Sequence, residues 1–375
     1  MLFDLLLDPT VLAFLVVGVP LLFGFGQEDE EDDDDDDEID RLERELADLR
    51  AQRDAPEPGD APTGPAVDPN VALSDDGERY DASGAAQDLN VIGGEGDDDI
   101  TTGSGDDVVA GEGGDDAIVT GPGDDRLLGG GGDDLLNGGE GADVIDGGAG
   151  ADTISAGAGD DRVFAGEDGD DVIPGAGDDV VDLGAGDDLV AALGTLGGSG
   201  GDDVIRGGAG DDDIADDAGA NTLFGGAGDD RIDLRDEEAE ATGDVGDGGD
   251  GDDVLIGDRG DRLTGGDGED AFSLYAAAPD LVPPEEPDTP ADSDAEPVPG
   301  NPRDVMVVAD FAPGTDGLEI VLPAGADPDA LISFVETARG DAEGLDVLLG
   351  DAPLVFLEGL AAGEISPDDV AVRLA

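Results

Sequence analysis

The 375-residue chain contains no cysteine, no histidine, no tryptophan and no lysine. Each absence excludes a class of chemistry. Without cysteine there is no disulfide framework, and without cysteine or histidine no zinc site of the usual nitrogen and sulfur ligands. Without histidine there is no Ser–His–Asp or Cys–His nucleophile. All fifteen basic residues are arginine, set against 100 Asp and Glu, so the formal net charge is −85. A surface of that sign repels phosphate, which argues against a nucleic-acid partner. Aromatics are scarce, at ten Phe and two Tyr. What is abundant is glycine, 66 residues, more than twice the usual share of about 7%. A charge of −85 also opposes compaction by self-repulsion. Either much of the chain stays unfolded, or cations are part of the fold.

The composition changes along the chain. Residues 1–27 are apolar, with an unbroken run from Val11 to Phe25. That length lies between a signal core of about 7–15 residues and a spanning helix of about 20. No basic residue precedes the run, which favours an uncleaved apolar helix that holds the N-terminus in a membrane; the alternative is a signal peptide, with Gly24-Phe25-Gly26 as its weak cleavage candidate. The lack of Arg or Lys on either flank gives no orientation. Residues 28–92 read as a spacer. Eleven acids at 28–38 repel one another, Ile39, Leu42, Leu46 and Leu49 predict a short helix over 39–53, and five prolines mark an extended linker over 54–75. Residues 274–302 are acidic and Pro-rich and read as a disordered loop. In 303–375 short apolar runs alternate with Gly, Pro and Asp, which predicts a small C-terminal β-domain.

Between them, residues 93–273 repeat every nine positions. Eleven units run in register from 93 to 191, four more from 198 to 233, and three more reach Ser273 with a one-residue slip at Ile256. Insertions at 192–197 and 234–247 separate the blocks. Position 8 is apolar in all eighteen units, from Ile100 and Val109 to Leu263 and Phe272. Position 6 is Asp in all but one, where Asn221 stands. Position 4 is Gly except at Asp168 and Arg259, and position 2 is Gly except at Glu112, Ser199 and Asp217. A disordered acidic linker would not hold four positions in phase over such a length.

Glycines at positions 2 and 4 permit positive φ and sharp turns. The last three residues, one apolar between two outward side chains, form a very short strand. One apolar side chain cannot bury itself, so the units must stack. A unit that is half turn and half strand implies two units, eighteen residues, per coil. Equivalent units then lie about 4.8 Å apart, which brings position-6 carboxylates into two parallel ladders. Two such charges repel by about 3–4 kcal/mol at an effective dielectric of 20. Burial of one aliphatic side chain contributes about 1.5–3 kcal/mol. The coil should therefore not hold without a cation. All-oxygen donors select a hard ion, and flexible turns rich in carbonyls suit calcium better than magnesium.

The unit resembles G-G-x-G-x-D-x-U-x, the known nonapeptide of the hemolysin-type calcium-binding repeat (RTX) proteins. The resemblance implies an all-β fold, a right-handed parallel β-roll, with calcium held between turns by turn carbonyls and the position-6 carboxylates. Carried over residue by residue, the ligands are Asp98, Asp107, Asp116, Asp125, Asp134, Asp143, Asp152, Asp161, Asp170, Asp179, Asp188, Asp203, Asp212, Asp230, Asp253, Asp261 and Asp270. Position-5 acids such as Asp97, Asp106 and Asp115 read as solvated turn residues. Asp310-Phe311, with Gly314, Asp316 and Leu318, is similar to the D-F-x-x-G-x-D-x-I/L segment that follows such repeats, where it begins a C-terminal β-domain associated with type I secretion.

Members of this family include proteases, lipases and pore-forming toxins, but those carry large catalytic or pore-forming regions. Here the repeat is flanked only by short segments without histidine. The expectation is a non-enzymatic, calcium-binding, secreted or cell-surface protein that folds when it meets calcium outside the cell. The alternatives are an adhesin, weakened by the lack of Trp for stacking on sugars, and a hydrolase using carboxylates alone, for which no particular pair stands out.

Overall fold

The structure, a computed structural model, describes residues 69–192, 201–235, 243–275, 305–322, 332–339, 342–349, 352–361, 363–366 and 370–374. The expected N-terminal helix of 1–27 and the short helix of 39–53 lie outside these residues, as does the acidic Pro-rich loop expected over 274–302 except for Leu274 and Tyr275, which instead end the strand Ala271–Tyr275. Among the described residues every regular element is a strand, and none is a helix. No helix there is long and apolar enough to cross a membrane.

Successive strands alternate between two sheets. One contains Asn70–Ala72, Asn90–Gly94, Val108–Glu112 and Arg126–Gly131; the other contains Arg79–Asp81, Asp99–Thr101, Ala117–Pro122 and Leu135–Glu140, and the alternation continues through the repeat. Within each sheet neighbouring strands are parallel. Residues eighteen apart pair, as in Val91 with Val109, Leu127 with Ile145, and Ile118 with Leu136. Two nine-residue units thus make one coil, as the spacing predicts. The result is an all-β solenoid of two parallel sheets, the arrangement expected of a β-roll.

The strand period explains the core. Positions 6, 8 and 1 of successive units alternate with 7 and 9 and point inward. Every position-8 side chain is buried, from Ile100 and Val109 to Leu263 and Phe272. Stacked at one coil spacing, they form the continuous apolar seam that no single unit could build. The glycines turn the corners. Position-2 and position-4 glycines, such as Gly130 and Gly132, have φ of 120° and 129°. A Cβ at either would run into the backbone of the coil below, at Glu112 and Gly114. At two of the units that lack glycine the conformation is kept: Glu112 at position 2 and Asp168 at position 4 are the non-glycine residues with positive φ among the described residues, while Asp217 at position 2 does not adopt it. At Arg259 the turn relocates, and Gly260 takes φ 106° instead, which accommodates the register slip.

The two sheets extend past the repeat at both ends. The strands of 305–374 do not make a sheet of their own. Met306–Val308 and Ala352–Glu358 continue one sheet, and Gly317–Leu322 and Val370–Leu374 continue the other. Their apolar residues take over the inward positions of the seam, with Leu318 opposite Phe272 and Val308 opposite Leu263. The antiparallel strands Ile332–Arg339 and Ala342–Leu349 then finish the first sheet. Arg262 to Glu358, at 2.8 Å, joins this end to the repeat.

Candidate metal centre

Where each unit leaves its second tight turn, position 6 is the first inward residue of the strand, so its side chain enters the roll beneath the turn. All seventeen predicted aspartates are buried there. They fall into two ladders. In the first, the backbone N–H of each position-6 residue donates to Oδ1 of the residue one coil later, through Asp98, Asp116, Asp134, Asp152, Asp170, Asp188, Asp212, Asp230, Asp253 and Asp270. The second runs through Asp107, Asp125, Asp143, Asp161, Asp179, Asp203, Asn221, Asp244 and Asp261. Glu78 and Leu89 donate into the first members, and Asp316 accepts from Asp270 at the far end.

These bonds satisfy Oδ1 alone. Oδ2 of fifteen of the seventeen, Asp261 and Asp270 being the others, is buried with no hydrogen-bond partner. Position-1 glycines show what surrounds it. A Cβ on Gly129 would collide with Oδ2 of Asp134 and approach the carbonyl of Gly147; one on Gly138 would meet Oδ2 of Asp143 and the carbonyl of Ala156. The same triplet recurs at Gly111, Gly147, Gly207, Gly225 and Gly248. Each is a niche in which a carboxylate oxygen and a main-chain carbonyl converge, kept open by the missing side chain. A carboxylate oxygen left unpaired in a low-dielectric interior is costly. Among the described residues no three acidic side chains converge on a point, so any ion here draws on carbonyls as well as carboxylates.

Burial raises the carboxyl pKa of ladder members, among them Asp107, Asp116, Asp230 and Asp253. Desolvation is the largest cause, partly offset by the N–H bond to Oδ1. Asp143 and Asp152 are pushed up to about 6, Asp125, Asp134, Asp161 and Asp170 to about 7, and Asp179 to about 8. The donors are hard oxygens, the niches have a carbonyl beside each carboxylate, and the unpaired atoms need positive charge. This set fits calcium, with its six to eight oxygen ligands at flexible geometry.

A profile of the RTX calcium-binding nonapeptide repeat, in four-copy form, matches residues 92–127, 128–163, 137–173, 163–190 and 197–232. These residues are RTX calcium-binding repeats. Repeats of this family bind calcium. No curated protein matches the chain.

Two features of the RTX array escape the sequence pattern. Asp244 lies inside the insertion at 234–247, yet it is buried and occupies a rung of the second ladder. Its unit has Gly246 where an apolar residue is expected, and Leu234 fills that space. The two-residue inward step from Asp244 to Gly246 is the only trace it leaves in the sequence. Second, the position-5 acids are exposed but ordered. The N–H of Asp115 donates to Asp97 one coil earlier, and Asp124 to Asp106, at 3.1 Å each. This outer ladder runs opposite in direction to the buried one.

Proposed function

We propose that the chain is a non-enzymatic, calcium-folded protein of the cell surface or extracellular space. The observation that carries the reading is the row of buried, unpaired Oδ2 atoms, with a main-chain carbonyl beside those of Asp98, Asp116, Asp134, Asp143, Asp152, Asp212, Asp230 and Asp253. In this reading the seventeen position-6 aspartates and Asp244 supply carboxylates to multiple calcium ions between the coils of a right-handed roll. Asp143 and Asp134 hold their side chains by Oδ1 and present Oδ2, while the position-1 glycines keep the niche open. Bound calcium supplies the positive charge that reverses repulsion along the ladders. The apolar run of residues 11–25 supports attachment to a membrane, with 28–68 as the spacer ahead of the first strands of the roll. The similarity of Asp310 to Leu318 to the segment that follows such repeats supports export by type I machinery.

Circular dichroism of the full chain under calcium titration tests the reading. The expected result is little β-signal in chelator and a cooperative gain at about 10⁻⁴–10⁻³ M calcium, the range of extracellular modules. A full β-spectrum in excess chelator at neutral pH would overturn it. For location, protease added to intact expressing cells should cleave the chain; complete protection contradicts a surface position.

A further inference from the structure

One unit breaks the rule of the buried ladder and compensates for it. In residues 216–224 position 6 is Asn221, the only position in eighteen units without an aspartate. The same unit has Asp216 at position 1, where the neighbouring units have Gly207 and Gly225. Position 1 is the site whose Cβ points at Oδ2 of its own unit's position-6 residue, as Gly207 does toward Asp212 and Gly225 toward Asp230. A side chain at 216 therefore enters the niche from the opposite wall.

The local contacts agree. Asn221 keeps the ladder bond, its Oδ1 accepting from the N–H of Asp203 at 3.0 Å, while its Nδ2 donates to the carbonyl of Ala218 at 3.4 Å. Asp216 accepts the N–H of Ala218 through Oδ1 at 3.3 Å, and its carboxyl lies within hydrogen-bond reach of that of Asp203. Asp203 is 0% and Asp216 1% exposed. Oδ1 of Asp203 accepts the N–H of Asp179. Oδ2 of Asp203 and Oδ2 of Asp216 are buried and receive no hydrogen bond from a backbone N–H or a basic side chain. The nearest charges that act on Asp216 are themselves acidic, Asp203 and Asp217.

We propose that Asp203 and Asp216 form a calcium site of a different make from the rest of the ladder, in which Asp216 at position 1 supplies the carboxylate that Asn221 at position 6 lacks. The proposal rests on the calcium reading of the repeats and concerns which residue carries the charge in this coil. Two carboxylates in contact demand a positive partner. Exchange of the acid between the two walls keeps a carboxylate in this coil although position 6 is Asn221.

Native mass spectrometry of the calcium-loaded full chain counts bound ions. Asp216→Asn, which preserves shape, is expected to bind one ion fewer than the wild type. Asp216→Gly combined with Asn221→Asp returns the unit to the common pattern and is expected to regain that ion. Asn221→Asp alone is expected to add none, because Asp216 already fills the role. An unchanged ion count in Asp216→Asn, or an extra ion in Asn221→Asp, overturns the proposal. So does a gain of β-signal in chelator for Asp216→Asn with an unchanged count, which would mean that the pair holds a shared proton instead. If the wild-type chain binds no calcium, the reading of the whole array fails as well; a wild type that binds many ions with Asp216→Asn matching it sinks only this inference.

Discussion

Glu112 and Asp168 have left-handed backbones, with φ of 77° and 72°, at positions where nearly every other unit has glycine. Their neighbours above and below fix the turn, so the residue bears strain that its side chain did not choose. Replacing Glu112 with glycine should raise the stability of the calcium-loaded chain by about 1 kcal/mol, with a smaller gain at Asp168, since Asp tolerates this region better. Thermal melts in saturating calcium read the difference. The converse substitution, Gly139→Ala, places a Cβ against the backbone of Gly121 and should cost more than about 1 kcal/mol. If Glu112→Gly destabilises, the turn is not under strain and the glycine argument is wrong at that position.

At the scale of the coil, the rungs are unequal. Asp143 stands mid-ladder, with Oδ1 held by Asp125 and Oδ2 unpaired. Asp261 lies next to the register slip, and its Oδ2 already accepts the N–H of Asp258 at 2.7 Å. Asp143→Ala should therefore move the calcium midpoint of folding to higher concentration much further than Asp261→Ala, and equal shifts would refute a difference in ligation. The C-terminal end is built on the same rung. Asp316 accepts from Asp270 at 3.4 Å and from Ala312 at 2.6 Å, and buried Phe311 packs on Phe272 with ring centroids 6.1 Å apart. Phe311→Ala should cost about 3–5 kcal/mol, with hydrogen exchange accelerated first in 305–322; protection lost evenly along the chain would show that the end does not act as a separate cap. These elements also mark what could be read in advance. The coil, its two-unit period and the seventeen buried aspartates follow from phase alone, because the inward positions 6 and 8 recur without exception or nearly so. Asp244 was hidden because its unit lacks the apolar residue that betrays the phase. The continuation of the sheets through 305–374 was hidden because those strands share the roll's register and lack its glycines, so their apolar runs read as a separate domain.

For the whole molecule the decisive quantity is the protonation of the buried ladders. Each raised carboxyl binds a proton more tightly in the folded, metal-free chain than in the unfolded one, whose carboxyl has its ordinary value of about 3.9. A group of this kind contributes its full stability below the unfolded value and loses it as pH rises through the folded one. Desolvation is the leading cause at Asp143 and Asp152, pushed up to about 6, at Asp134 and Asp212, about 7, and at Asp179, about 8. Metal-free stability should therefore fall between about pH 4 and pH 8, and many equivalent groups make the fall steep. Calcium reverses the requirement, because the ion needs carboxylates and protons compete with it. In chelator, the far-UV β-signal should be larger at pH 5 than at pH 8. In limiting calcium, the midpoint of folding should move to higher calcium as pH drops below about 7. Protons and calcium would then be alternative neutralisers of one buried array. A β-signal in chelator that is flat or rises between pH 5 and pH 8 would show that the ladders are not the charge that the metal-free roll has to neutralise.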